Sequence, residues 1–135
     1  MTRQVTQTWQ VKEGTGRVWL DLGHFANVVE IAGQGIAFCT DGVGSKTLIA
    51  QRLRKYDTIG IDCVAMNVND LICVGAIPVS MVDYIAIERA DPQIIGEIGI
   101  GLRHGANEAN ISISGGRSPS CRESFTERRR VAPLI

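Results

Sequence analysis

Residues 58–76 read TIGIDCVAMNVNDLICVGA, and this stretch decides the fold class. Ile61, Val64, Ala65, Val68, Leu71, Ile72 and Gly75 recur at i, i+3, i+4, i+7 spacing, which is the period of a helix with one apolar face. Asp57 or Thr58 offers a cap and Pro78 cannot continue the helix, so the spacing predicts a long, largely buried helix over 58–76.

Downstream of Pro78, residues 79–87 (VSMVDYIAI) form the strongest strand candidate in the chain. Asp91-Pro92 restarts a helix that runs to about Ala109, and residues 111–114 read as a short strand ending in Gly115-Gly116. Upstream, residues 25–31 and 36–40 flank Ala32-Gly33-Gln34-Gly35 and predict a hairpin. Asp41-Gly42-Val43-Gly44-Ser45 is a glycine-rich turn, after which residues 46–56 carry Leu48, Ile49 and Leu53 on one helical side. The order β-β-α-α-β-α-β predicts an α+β or mixed α/β domain.

Composition narrows the function classes. The 135 residues are 44% apolar with a formal net charge of zero, enough for one modest core. A balanced charge supplies no basic field for a nucleic-acid or membrane-surface partner. Residues 117–135 hold five arginines and two glutamates and have no periodicity, so they read as a basic, disordered tail; residues 1–16 read as a polar lead-in. Cys39, Cys63, Cys73 and Cys121 lack CxxC spacing, and no run of eighteen apolar residues or secretory signal is present. Reduced cysteines and a cytoplasmic location are the expectation.

Two constellations carry candidate chemistry. In Thr40-Asp41-Gly42-Val43-Gly44-Ser45-Lys46-Thr47 the lysine does not directly follow the glycine, so the stretch is not a Walker A loop. It reads either as a tight structural turn or as an anion-facing one, with backbone N–H groups, a helix N-terminus and Lys46 favouring negative charge. On the long helix, Asp62, Asn69 and Asp70 fall at about 0°, −20° and 80° when successive residues turn by about 100°. These oxygens form either a solvated polar stripe or a magnesium-binding face. Asp83 interrupts an apolar strand, while His24 and His104 have no partner at metal or triad spacing.

The ordered set Thr40–Lys46, Tyr56–Leu71 with its run GIDCVAMNVNDL, Gly75-Ala76-Ile77-Pro78, Asp83-Tyr84 and Gly115-Gly116 resembles the phosphoribosylformylglycinamidine cyclo-ligase (AIR synthetase) family. The resemblance covers about residues 21–116 and implies a mixed or antiparallel sheet of about four strands with helices on one face. It also implies ATP-dependent closure of formylglycinamidine ribonucleotide to aminoimidazole ribonucleotide in purine biosynthesis, by a homodimer. By position, Asp41, Asp62 and Asp70 resemble magnesium-phosphate acids, Gly42, Gly44 and Lys46 the phosphate-facing turn, and Asn69 an orienting ligand. Gly115 and Gly116 match the start of the family's Gly-Gly-Glu, whose acid is Arg117 here.

Residues 17–116 are therefore expected to form the family's N-terminal ATP-binding domain, with the second domain absent. A frame shifted by one base at Gly116 spells, with permitted codons, Glu-Val-Ala-Gln-Leu-Pro-Gly-Val-Ile, which resembles the family's continuation. Two further readings follow: an inactive fragment or dimerising module, and an ATP-dependent kinase of the same superfamily.

Overall fold

A computed structural model describes residues 2–9, 15–118 and 131–134. The described elements are α1 (Thr2–Thr6), β1 (Asn27–Ile31), β2 (Gln34–Phe38), α2 (Lys46–Leu53), α3 (Ile59–Cys73), β3 (Ser80–Ile87), α4 (Pro92–Ala109), β4 (Ser112–Arg117) and β5 (Val131–Leu134). They form two compact units, one of residues 1–40 and 69–77, the other of residues 41–68 and 78–135. The mixed α+β class matches the expectation, with the strands divided between an antiparallel pair, β1-β2, and a three-stranded sheet in the order β4-β3-β5.

In the first unit, β1 and β2 pair from Asn27↔Phe38 to Ile31↔Gln34, leaving Ala32 and Gly33 as a two-residue turn. Their φ values of 52° and 78° are both positive, the geometry that matches the right-handed twist of a tight hairpin. Residues 16–19 add a further extended run against β1, with Trp19 N–H donating to Val28 O (2.8 Å) and Glu30 N–H to Arg17 O (2.8 Å). Arg17 and the Trp19 indole both converge on the Glu30 carboxylate.

The second unit contains the larger core: Val43, Ala50, Ile59, Cys63, Val64, Ile85, Ile98 and Leu102. Here β3 pairs in parallel with β4, the two strands joined through α4, and antiparallel with β5 at Ile85↔Leu134 and Ile87↔Val131. Asp91 caps α4 by accepting from Gln93 N–H and Ile94 N–H, with Pro92 in the first turn. The backbones of α3 and α4 approach so closely that a Cβ on Gly60 would overlap Leu102 N and lie 2.5 Å from Ile98 O; one on Gly101 would overlap Asp57 O.

One expectation requires correction, the burial of α3. Burial on α3 is confined to Ile59, Gly60, Cys63 and Val64, and Ile72 near its end is exposed, so the helix is not buried along its length. On α2 the buried face is Thr47 and Ala50, while Ile49 and Leu53 are 59% and 69% exposed. The hydroxyl of Thr47 is satisfied by Gly44 O at 2.6 Å, which makes a polar residue acceptable on the inner face. Of the expected lead-in, Thr2–Thr6 is helical; of the expected tail, Arg117 closes β4 and Val131–Leu134 form β5, while residues 119–130 lie outside the described residues.

Candidate functional site

The glycine turn at 41–45 leaves β2's strand run and enters α2, and it is fastened to α3 at two places. At its start, Asp41 N–H donates to Asn67 Oδ1 (3.0 Å), and Asn67 Nδ2 donates back to Asp41 O (3.2 Å) and to Cys63 O (2.9 Å). At its end, Lys46 Nζ donates to Asp62 Oδ1 at 2.6 Å. Between these fastenings Val43 is buried and Asp41 Oδ1 accepts from Gly42 N–H (2.7 Å).

Neither Gly42 nor Gly44 has a positive φ, so neither glycine is demanded by the turn's own backbone. A Cβ on Gly44 would meet nothing within 4 Å, so the space above this exposed backbone is open. A turn with open space above Gly44, at the N-terminus of an eight-residue helix that Ser45 does not cap, suits the close approach of an anion.

Asp62 and Lys46 are thus brought together, and Asp41 is held against α3 through Asn67. Asp62 is engaged by the Lys46 ammonium, the basic partner that the sequence left unassigned to it. Asn69, exposed, and Asp70, half-buried, lie on the last turns of α3, in the first compact unit. Among the described residues no three His, Cys, Asp or Glu side chains form a group able to hold a metal. Magnesium nonetheless takes one or two carboxylates completed by water and substrate phosphates, and the hard oxygens of Asp41 and Asp62 fit that donor set.

Gly115 and Gly116 sit on β4 opposite Val82 and Asp83, just past a register shift at Met81/Val82. A Cβ on Gly116 would overlap the Asp83 carboxylate, so this glycine makes room for the acid. Burial pushes the Asp83 carboxyl above its ordinary value, against a backbone hydrogen bond that lowers it. Burial likewise pushes the Cys63 thiol up to about 11, with the negative charges of Asp83 and Asp41 adding to the effect. Of the histidines, His104 pairs with Glu108 one helical turn along (3.3 Å), on the surface.

Sequence reasoning missed Asn67. Periodicity on α3 pointed to Asn69, which shares a face with Asp62, whereas the side chain that grips the turn lies two residues earlier. The signal that was available is the adjacency of two asparagines in Asn67-Val68-Asn69, which periodicity alone cannot rank.

A family model described as AIR synthase related protein, N-terminal domain, matches residues 23–128. Among curated proteins, the phosphoribosylformylglycinamidine cyclo-ligase of Methanothermobacter thermautotrophicus is 55% identical over 98 residues, covering 73% of this chain and 29% of that protein. The protein of the same name from Thermoplasma acidophilum is 50% identical over 97 residues, 72% of this chain and 29% of the relative. That from Pyrococcus furiosus is 49% identical over 98 residues, 73% and 29%. The chain spans less than a third of the length of these relatives.

Proposed function

Because the chain belongs to the AIR synthase related protein family, through that family's N-terminal domain, we propose that it is the N-terminal part of an ATP-dependent phosphoribosylformylglycinamidine cyclo-ligase. On this reading it serves the cytoplasmic synthesis of purines, converting formylglycinamidine ribonucleotide to aminoimidazole ribonucleotide as one half of a homodimer. No helix among the described residues is long and apolar enough to cross a membrane.

The observation that carries the reading is the open Asp41–Ser45 turn, fastened to α3 at both ends and leading into α2 with Lys46 beside Asp62. Gly42 and Gly44 present backbone to the phosphates of ATP, and Lys46 supplies a point charge to them. Asp41, Asp62 and Asp70 are the proposed magnesium acids, Asn69 orients, and Gly115-Gly116 keeps β4 open beside Asp83. Bound magnesium-ATP supplies the phosphoryl group that activates the substrate's amide oxygen, and the protein's share is positioning and charge neutralisation.

Calorimetric titration of the full chain with magnesium-ATP tests the binding half of this reading, and a coupled assay for aminoimidazole ribonucleotide tests the catalytic half. Saturable binding that requires magnesium supports it; no binding at millimolar nucleotide overturns it. Binding without turnover favours the second reading, a non-catalytic dimerising module. That reading is supported by the outward face of β3, where Val82 is 67% exposed beside the exposed Tyr84, an apolar surface suited to a second copy.

A further inference from the structure

We propose that Asn67 is a positioning residue of the site: it holds the backbone of Asp41, and so the glycine turn, in the register that receives the phosphates of magnesium-ATP. The inference rests on the nucleotide reading for the identity of the ligand, and on geometry alone for the role of Asn67.

The Asn67 side chain does for Asp41 what a neighbouring strand would do. Its Oδ1 accepts from Asp41 N–H and its Nδ2 donates to Asp41 O, so both polar groups of one backbone residue are matched by a single planar amide. The same Nδ2 also donates to Cys63 O one turn back on α3, which fixes the amide's orientation against the helix. An amide used at both ends, with three contacts between 2.9 and 3.2 Å, has one productive orientation.

The turn has need of such a clamp. With no positive φ at Gly42 or Gly44 and open space above Gly44, its own sterics select no single conformation, and glycine backbones are free to sample many. The carboxylate of Asp41 caps only the next N–H, at Gly42. The Lys46–Asp62 pair holds the far end but is exposed, and such pairs are weak. A donor-and-acceptor grip at the strand exit therefore sets where the following N–H groups point before any ligand arrives, which lowers the ordering cost of binding.

The test compares the full chain with Asn67→Leu, which keeps the bulk and removes the grip, and with Asn67→Asp, which keeps the acceptor and loses the donors. Hydrogen exchange resolved at the Asp41 amide reports the clamp without any ligand. In Asn67→Leu that amide should lose protection by about tenfold while amides of α4 stay unchanged, and magnesium-ATP affinity should fall by about tenfold.

Asn67→Asp supplies the readout that a merely structural role would not move. Its carboxylate still accepts from the Asp41 N–H, so the Asp41 amide should keep its protection in Asn67→Asp and lose it in Asn67→Leu, a split that a merely space-filling side chain would not give. A folded Asn67→Leu protein with wild-type exchange at Asp41 and affinity within twofold overturns the proposal. If Asn67→Leu fails to fold, Asn67→Ala takes its place, and wild-type exchange at Asp41 in that variant overturns the proposal. Wild-type protein that binds no magnesium-ATP refutes the nucleotide reading instead, and the exchange arm still decides whether Asn67 holds the turn.

Discussion

Lys46 Nζ stands 2.6 Å from Asp62 Oδ1, tying the first residue of α2 to the first turn of α3. The two side chains are 57% and 32% exposed, so the pair contributes about 0–1 kcal/mol and parts readily. A cation held this loosely beside a carboxylate can move to an incoming phosphate without a large loss of fold stability.

Asp62→Asn should therefore alter the ligand-free melting temperature little. At 100 times its dissociation constant, magnesium-ATP should stabilise the wild-type chain by about 2.7 kcal/mol, and Asp62→Asn should abolish most of that gain. Thermal melts with and without nucleotide check both halves, and undiminished stabilisation in the Asp62→Asn/Asp70→Asn double variant would show these acids to be a solvated stripe.

The glycines of α3 and α4 divide into two kinds. Gly60→Ala sets a methyl group against the backbone of Leu102 and Ile98, which cannot swing aside, and should destabilise by about 1–3 kcal/mol or more. Gly96→Ala and Gly99→Ala meet nothing within 4 Å on the same helix that carries Leu102, and should each stabilise by about 0.5–1 kcal/mol. Urea unfolding of the three variants checks the difference in sign.

The Cys63 thiol is buried and pushed up to about 11, whereas Cys73 is exposed. Iodoacetamide at pH 8 should label Cys73 readily and leave Cys63 unmodified until the chain unfolds, as peptide mass spectrometry can follow. Because the folded value lies above the ordinary 9.0, the thiol's contribution to stability is complete below pH 9 and is lost as the pH rises towards about 11.

Asp83 follows the same sign in the acid range. Its carboxyl is raised by burial, so the stability it contributes is complete below its ordinary value of 3.8 and is lost as the pH rises through the raised folded value. Asp83→Asn removes that loss: relative to wild type, the variant should gain stability between pH 4 and pH 7. Equal pH dependence of the two proteins in guanidinium unfolding would show that Asp83 is solvated in the folded chain.

Much of the fold was legible along the chain. The residues 58–76 periodicity marks α3, observed as Ile59–Cys73, and Asp91-Pro92 marks the start of α4. The hairpin was announced by Ala32-Gly33-Gln34-Gly35 between two apolar runs, and Gly33 answers locally the positive φ of the turn, while Ala32 takes one without being suited to it. Strand β3 was visible as an apolar run, and the glycine turn as a composition.

What the sequence by itself determined, then, is what depends on neighbours within a few residues: helix period, caps, the tight turn and the family motif. Tertiary structure alone decided which side of α2 faces inward: Ala50 joins the core of the second unit with Thr47 buried beside it, while Ile49 and Leu53 stay exposed. It also decided that Asn67, and not Asn69, grips Asp41, and that Lys46 answers Asp62. Those partners are 26 and 16 residues apart, and their meeting is set by how the turn lies across α3. Periodicity gives the phase of a helix face, but the element packed against that face chooses which side chain is used.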